Sequence, residues 1–463
     1  MSPTTDLYKP LSDDFILPSN RDVGGEKHSD PDASCTYLCG NSLGPLSKSS
    51  ERLVHEELDA WRHRSPSAGS CYIMLIRNHL LLASHTGAKE KEVVCMGTLT
   101  TNLHLMMTSF YAPTSNRFKI LCEAKAFPSD QYAFASQVLL HGYAPADAII
   151  EVSPREGEFH LREEDILDII DREGETIALV LFSGVQYYTG QWFPMASITE
   201  KAKAKGCICG WDLAHGVGNV PLSLHDWDVD FAVWCTYKYL NSGPGGIAGL
   251  FIHEKWNDEK KPMGAFASCH LLSLPSLWRR RPPCTIAVRQ AGWWGHELST
   301  RFAMPPTFQP IPGAQGFQQS NPSALTIASL LGSLQIFKSV GMMQPVRERS
   351  LKLTGALESF LKKSRYFVPL EQAVKHDSQG RPGFTIITPS DPNMRGSQLS
   401  LLFLPQGSEV MRSVFKSLNS YGVIGDKREP DVIRLMPAPL YSSLKDCEEG
   451  AAWLEKAFEE LEA

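Results

Sequence analysis

The chain has 463 residues, 45 Lys and Arg against 51 Asp and Glu, a formal net charge of −6, and 43% hydrophobic residues. These are ordinary globular values; they exclude wholesale disorder, leave room for two domains, and argue against a nucleic-acid partner, which needs a basic face. No stretch is apolar enough to span a membrane, since the run 72–83 is short and broken by Arg77, Asn78 and His79.

The N-terminus lacks a basic start followed by an apolar stretch, so no signal peptide is expected. Eleven cysteines, an odd number without a CxxC pair, point to reduced thiols in a cytoplasmic enzyme. Cys207 and Cys209 read as packing residues on a strand.

Residues 1–34 are polar and rich in Asp, Pro and Ser, as expected of an arm. A helix follows Pro45, with Leu53, Glu57 and Trp61 near helical spacing. From 92 to 235, short β-rich runs alternate with helical stretches. Strands are expected at 92–96, 118–122, 148–152, 177–182, 206–211 and 231–235. Helices are expected at 102–111, 129–140, 163–173 and 195–205. Such alternation reads as an α/β fold with a mostly parallel sheet. Beyond about residue 340 come a helix at 347–362, strands at 384–387 and 399–403, a helix at 409–421, a strand at 432–435 and a helix at 446–461. The expected division is an arm and helix over 1–60 that packs with the small domain, a large domain over 61–340, and a small α+β domain over 341–463.

The strongest local signal is Asp212 at the end of an apolar strand, with His215 three residues on. Lys238 follows another apolar strand and precedes the Gly-rich turn 243–246. Pyridoxal phosphate requires such a set: a lysine amine to form an imine and move protons, and a carboxylate to keep the pyridine nitrogen protonated. Strand-end loops place these groups at the carboxyl edge of the sheet, where open α/β folds bind ligands. Singly, each residue has an ordinary explanation: a strand-end Asp caps a helix, and a Lys before Tyr is a surface charge. Their joint occurrence favours the cofactor reading.

The phosphate needs donors. The segment 97–102 opens a helix, where free N–H groups and the positive dipole end face an anion, and Thr98 and Thr100 add hydroxyls. Plain Thr capping explains the same residues. Phe127 could cover a cofactor ring, and Ser129 or Asp130 could cap the next helix. Ser183 is suited to a ring oxygen or to a turn.

The segments 37–45 (YLCGNSLGP), 127–130 (FPSD), 182–191 (FSGVQYYTGQ), 212–219 (DLAHGVGN), 234–245 (WCTYKYLNSGPG), 292–302 (GWWGHELSTRF), 316–322 (GFQQSNP), 428–434 (REPDVIR) and 437–441 (PAPLY) resemble the kynureninase family. The resemblance covers most of the chain in order. It implies a fold-type-I pyridoxal-phosphate homodimer that hydrolyses L-kynurenine, or 3-hydroxy-L-kynurenine, to anthranilate or 3-hydroxyanthranilate plus L-alanine, in tryptophan breakdown and NAD synthesis. Lys238 resembles the Schiff-base lysine and Asp212 the pyridine-nitrogen partner. His215 and Ser183 resemble cofactor contacts. Phe127, Pro128, Ser129 and Asp130 match the cofactor-binding stretch. Leu99, Thr100, Tyr237, Trp293 and Asn321 resemble phosphate- or cofactor-site residues, the last two from the neighbouring subunit. Tyr237 also matches a proton relay, and Arg434 the arginine that holds the substrate's α-carboxylate. No metal is implied.

Two segments depart from the family. Residues 62–83 show no match to its Gly-containing loop, whose histidine lies over the substrate ring; His63, His79 and His85 are stand-ins with nothing to choose between them. Residues 263–291 form an insertion with three readings: a surface loop, a basic partner-binding element around Arg279–Arg281, or an intron read as coding sequence. The competing enzyme reading is another fold-type-I member, a class V aminotransferase or a cysteine desulfurase. The competing non-enzyme reading is a cofactor-binding homologue without turnover.

Overall fold

The computed structural model describes residues 11–63, 70–257 and 290–462. Its centre is a seven-stranded sheet of β1 (Val93–Cys95), β2 (Lys119–Glu123), β3 (Ile149–Val152), β4 (Ile177–Ser183), β5 (Ile208–Asp212), β6 (Phe231–Trp234) and β7 (Gly249–Ile252), in the order β1-β7-β6-β5-β4-β2-β3. The run β3-β2-β4-β5-β6 is parallel, and β7 alone runs against its neighbours β1 and β6. Strand β6 is apolar throughout and β4 is apolar up to its last residue, Ser183, as expected where helices cover both faces of a sheet. Two apolar clusters flank the sheet, one holding Trp211 and Trp234, the other Phe110, Phe134 and Phe231.

The helices reflect their sequences. Helix α3 (Leu99–Phe110) begins after Gly97, whose φ of +55° turns the chain out of β1, and the Asn102 side chain donates to the Met96 carbonyl across that turn. Helix α4 (Pro128–Leu140) starts with Pro128, whose fixed φ and missing N–H suit the first turn. Helix Glu163–Glu173 has acidic residues in its first turn and buries Ile166 and Ile170.

A four-stranded antiparallel sheet follows, made of β8 (Gly383–Ile386), β9 (Leu399–Leu404), β10 (Asp426–Arg428) and β11 (Val432–Leu435) in the order β8-β9-β11-β10. Helices Met343–Leu361 and Leu444–Glu462 pack on each other and share an apolar cluster with this sheet. The N-terminal segment joins this region, since Thr36–Tyr37 pairs in parallel with Val423–Ile424 in a separate two-stranded sheet and Leu38 lies in the same apolar cluster.

Helix α1 (Lys48–His63) packs chiefly on Ala324–Ser339. A Cβ at Gly332 would stand 2.4 Å from Ser50 Cα, so glycine permits this close crossing. Helix α2 (Ser70–Thr86) occupies most of the stretch 62–83. His79 and His85 are buried in it, whereas His63 is exposed at the end of α1. No single described helix is long and apolar enough to cross a membrane. The insertion 263–291, with Arg279–Arg281, falls almost wholly outside the described residues.

Candidate active site

Four parallel strands end on one edge of the large sheet. Glu123, Ser183 and Asp212 are the last residues of β2, β4 and β5, and Lys238 follows β6 by four residues. They converge because the strands run the same way. Leu99, Thr100, Phe127, Ser129, Asp130, Ser183, Asp212, His215, Tyr237 and Lys238 line one cavity there. Val185, Tyr187 and Ala214 complete its wall.

The lysine is held on several sides. Lys238 Nζ donates to His215 Nε2 at 3.1 Å and lies 5.8 Å from the centre of the Phe127 ring. The Tyr237 carbonyl accepts the N–H of Gly44 at 2.8 Å, and Gly44 sits so close that a Cβ there would lie 2.4 Å from the Lys238 carbonyl oxygen. The N-terminal arm thus packs directly against the loop that carries Lys238.

The acidic side is crowded. Asp212 Oδ1 accepts the Ala214 N–H at 2.7 Å. Burial pushes the Asp212 carboxyl above its ordinary range. Asp130 is pushed up further, by burial and then by the charges of Asp212 and Glu123. Burial also raises Glu123, to about 7, although the Ser183 hydroxyl donates to it. Three carboxyls around one buried point favour a cation. Asp130 Oδ1 and His215 Nδ1 are buried without a hydrogen-bond partner. A protonated heteroaromatic ring fits this arrangement. The start of α3, with Thr100 Oγ1 2.5 Å from Ser129 Oγ, supplies N–H groups and hydroxyls for an anion. Pyridoxal phosphate has both ends, so the residues present fit it.

Some expected residues lie elsewhere. Pro128 opens α4 and does not line the cavity. Thr98 turns its hydroxyl to Thr101. Trp293 is 49% exposed and Asn321 is exposed, and neither lines this chain's cavity. Nor do His63, His79 and His85. Arg434 is fully buried behind the wall, donating to the Tyr187 carbonyl at 2.7 Å and to Asp426. Glu123 and Tyr187 were not legible as site residues. Glu123 carried a signal, an acid closing an apolar strand just before the segment 127–130. A larger cavity of about 560 Å³, beside His160, Lys362 and Asp391, contains none of the strand-end groups.

The fold and this strand-edge constellation define the class. Residues 143–269 match the family described as Aminotransferase class-V. A cysteine desulfurase structure from Thermococcus onnurineus superposes with a TM-score of 0.68 at 15% identity, covering 92% of this chain and 95% of that one. The cystine C-S lyase C-DES, in complex with cysteine persulfide, superposes with a TM-score of 0.70 at 15% identity, covering 91% and 98%. At such identities the likeness shows the fold, that of the fold-type-I pyridoxal-phosphate enzymes.

The particular family follows from closer relatives. Residues 346–454 match the Kynureninase C-terminal domain. The chain is 45% identical to a kynureninase of Nematostella vectensis over 98% of its length and 92% of the relative's. It is 44% identical to one of Saccharomyces cerevisiae, covering 97% of each, and 45% identical to one of Yarrowia lipolytica, covering 89% and 91%. The chain belongs to the kynureninase family.

Proposed function

We propose that the chain hydrolyses the Cβ–Cγ bond of L-kynurenine and 3-hydroxy-L-kynurenine, giving anthranilate or 3-hydroxyanthranilate and L-alanine, with Lys238 as the residue that carries pyridoxal phosphate. The observation that carries this reading is the single cavity that brings Lys238, His215, Asp212, Asp130 and the start of α3 together.

Bound pyridoxal phosphate supplies an electron sink for negative charge at the substrate's Cα. Asp212 suits the ring nitrogen, because a carboxylate there keeps it protonated. His215 and Phe127 flank the ring position, Ser183 suits a ring oxygen, and Leu99, Thr100 and Ser129 suit the phosphate. Lys238 Nζ, when not bonded to the cofactor, would take the Cα proton. Water adds to the side-chain ketone, and the Cβ–Cγ bond breaks. Burial holds the Tyr237 hydroxyl protonated well above its ordinary range, so it has a proton to deliver to the carbon freed by cleavage. Arg434 suits the α-carboxylate, since a guanidinium fork matches that group.

The separate seven-stranded and four-stranded sheets support a division into a large domain at 61–340 and a small domain at 341–463, whereas the helix of the segment 1–60 packs chiefly on 324–339 and not on the small domain. A homodimer is supported by exposed apolar side chains: Trp293 packs edge-on against Phe302, and Met304 is 74% exposed. In that dimer Trp293 and Asn321 complete the partner subunit's cavity. A cytoplasmic place is supported by the eight cysteines among the described residues, unpaired and all buried or half-buried, and a place in tryptophan breakdown rests on the substrate. The burial of these eight also disfavours any of them as a mobile nucleophile of the desulfurase kind.

The test is product stoichiometry. Purified protein with pyridoxal phosphate and L-kynurenine should release anthranilate and alanine in equal amounts. Cofactor binding without either product would overturn the reading.

A further inference from the structure

Strands β10 and β11 are antiparallel in a register that sets Asp426 directly opposite Arg434. Such cross-strand partners project to the same face of a sheet. On the other side of β11, Ser400 is the residue opposite Arg434. The guanidinium therefore stands mid-sheet with a fixed flank on each side.

Its bonds fix its plane. Nη2 donates to an Asp426 carboxylate oxygen, and Nη1 donates to the Tyr187 carbonyl at 2.7 Å. Gln398 donates to that same carbonyl at 3.0 Å. Tyr187 lines the cofactor cavity, so the second bond ties the small sheet to the cavity wall. Arg434 Nε is buried without a hydrogen-bond partner.

Arg428 lies two residues after Asp426, on the same face of β10. Its Nη2 donates to the same carboxylate oxygen at 3.0 Å. Two guanidiniums on one carboxylate leave a formal excess of one positive charge. Both reach the cavity electrostatically, since each helps to depress His215. Arg434 is fully buried and the Arg428 side chain is 33% exposed, so water screens the excess charge only in part until an anion completes it. An α-amino-acid substrate brings one carboxylate.

We propose that Asp426 is the positioning residue for Arg434 and that Arg428, sharing Asp426, adds the second positive charge of a site that recognises the substrate's α-carboxylate. The proposal rests on the kynureninase reading for its substrate.

The test titrates the visible cofactor band of the holoenzyme with L-alanine and with ethylamine, the same molecule without its carboxylate. The parent should bind L-alanine more tightly. In Asp426→Asn the L-alanine affinity should fall about tenfold or more, with ethylamine affinity kept, because a charge-assisted contact is misplaced. The loss on L-kynurenine should fall on KM rather than kcat. Arg428→Met should lower the L-alanine preference by a smaller factor. A preference unchanged in Asp426→Asn, or equal weakening for both ligands, would overturn the proposal. If Asp426→Asn fails to hold cofactor, Arg428→Met decides, and an unchanged preference there overturns it. Failure of the kynureninase reading would show separately, as a parent that discriminates but releases no alanine from L-kynurenine.

Discussion

Lys238 Nζ and His215 Nε2 stand 3.1 Å apart, although the loops that carry them follow different strands. Burial, helped by the charge of Lys238, holds His215 well below the usual histidine range. The imidazole is therefore neutral, its Nε2 accepts from the lysine, and its proton sits on Nδ1. His215→Phe removes the acceptor and keeps a ring. Imine formation takes Lys238 Nζ out of this bond, so its loss should appear in the cofactor-free protein, as a stability lower by ~1.5–3 kcal/mol, the usual contribution of a hydrogen bond to a charged group. Chemical denaturation of the cofactor-free protein checks this, and unchanged stability would show the contact to be idle.

The proposed function assigns Asp212 to a ring nitrogen, and its Oδ1 accepts the Ala214 N–H. Asp212→Asn keeps the shape and removes the charge. Turnover should drop on the order of 10²–10³-fold, the usual effect of losing one well-placed electrostatic partner. Steady-state rates of alanine release measure it. A loss under threefold would contradict the assignment.

Glu123 carries a pH dependence. Its carboxyl titrates near 4.5 when unperturbed and about 7 in the fold, raised by burial. The fold thus favours the protonated form. That contribution is full below about pH 4.5 and is lost as pH rises through about 7, with a size on the order of 3 kcal/mol. The melting temperature of cofactor-free protein should fall across that window, and Glu123→Gln should flatten the fall. Parallel melting curves for parent and variant would contradict it.

Gly44 supports the Lys238 loop from the N-terminal arm. A Cβ there would lie 2.2 Å from Asn241 Oδ1. Gly44→Ala should therefore displace the loop, costing about 1–3 kcal/mol of stability by overpacking and weakening cofactor retention. Chemical denaturation and the cofactor band together test this. Full retention of both would show that the arm yields without moving Lys238.

Most of the large sheet was legible because its strands are apolar runs between amphipathic helices. Glu163–Glu173 was expected at its observed bounds, and Val432–Leu435 likewise. The antiparallel strand Gly249–Ile252 was missed: it follows a Gly-rich turn, and nothing local shows that it slots between β1 and β6. Helix Ala324–Ser339 was missed because it is buried nearly all round, so it has no apolar stripe to read. Asp426–Arg428 is a charged three-residue strand without alternation, and only its neighbour β11 makes it one. In the site, Lys238, Asp212 and His215 were legible from strand context. Glu123 was not, since the strand was expected to end at Cys122. The place of Arg434 was readable only as a family likeness, because its role depends on partners far off in sequence, Tyr187 above all.

Lys238 is the proposed carrier of the cofactor. Borohydride reduction of the holoprotein, followed by peptide mass spectrometry, tests it most directly. The expected result is the mass of one reduced pyridoxal phosphate on the peptide containing Lys238, and none on any peptide of Lys238→Ala. Attachment to another lysine, or equal labelling of the Lys238→Ala variant, would contradict it.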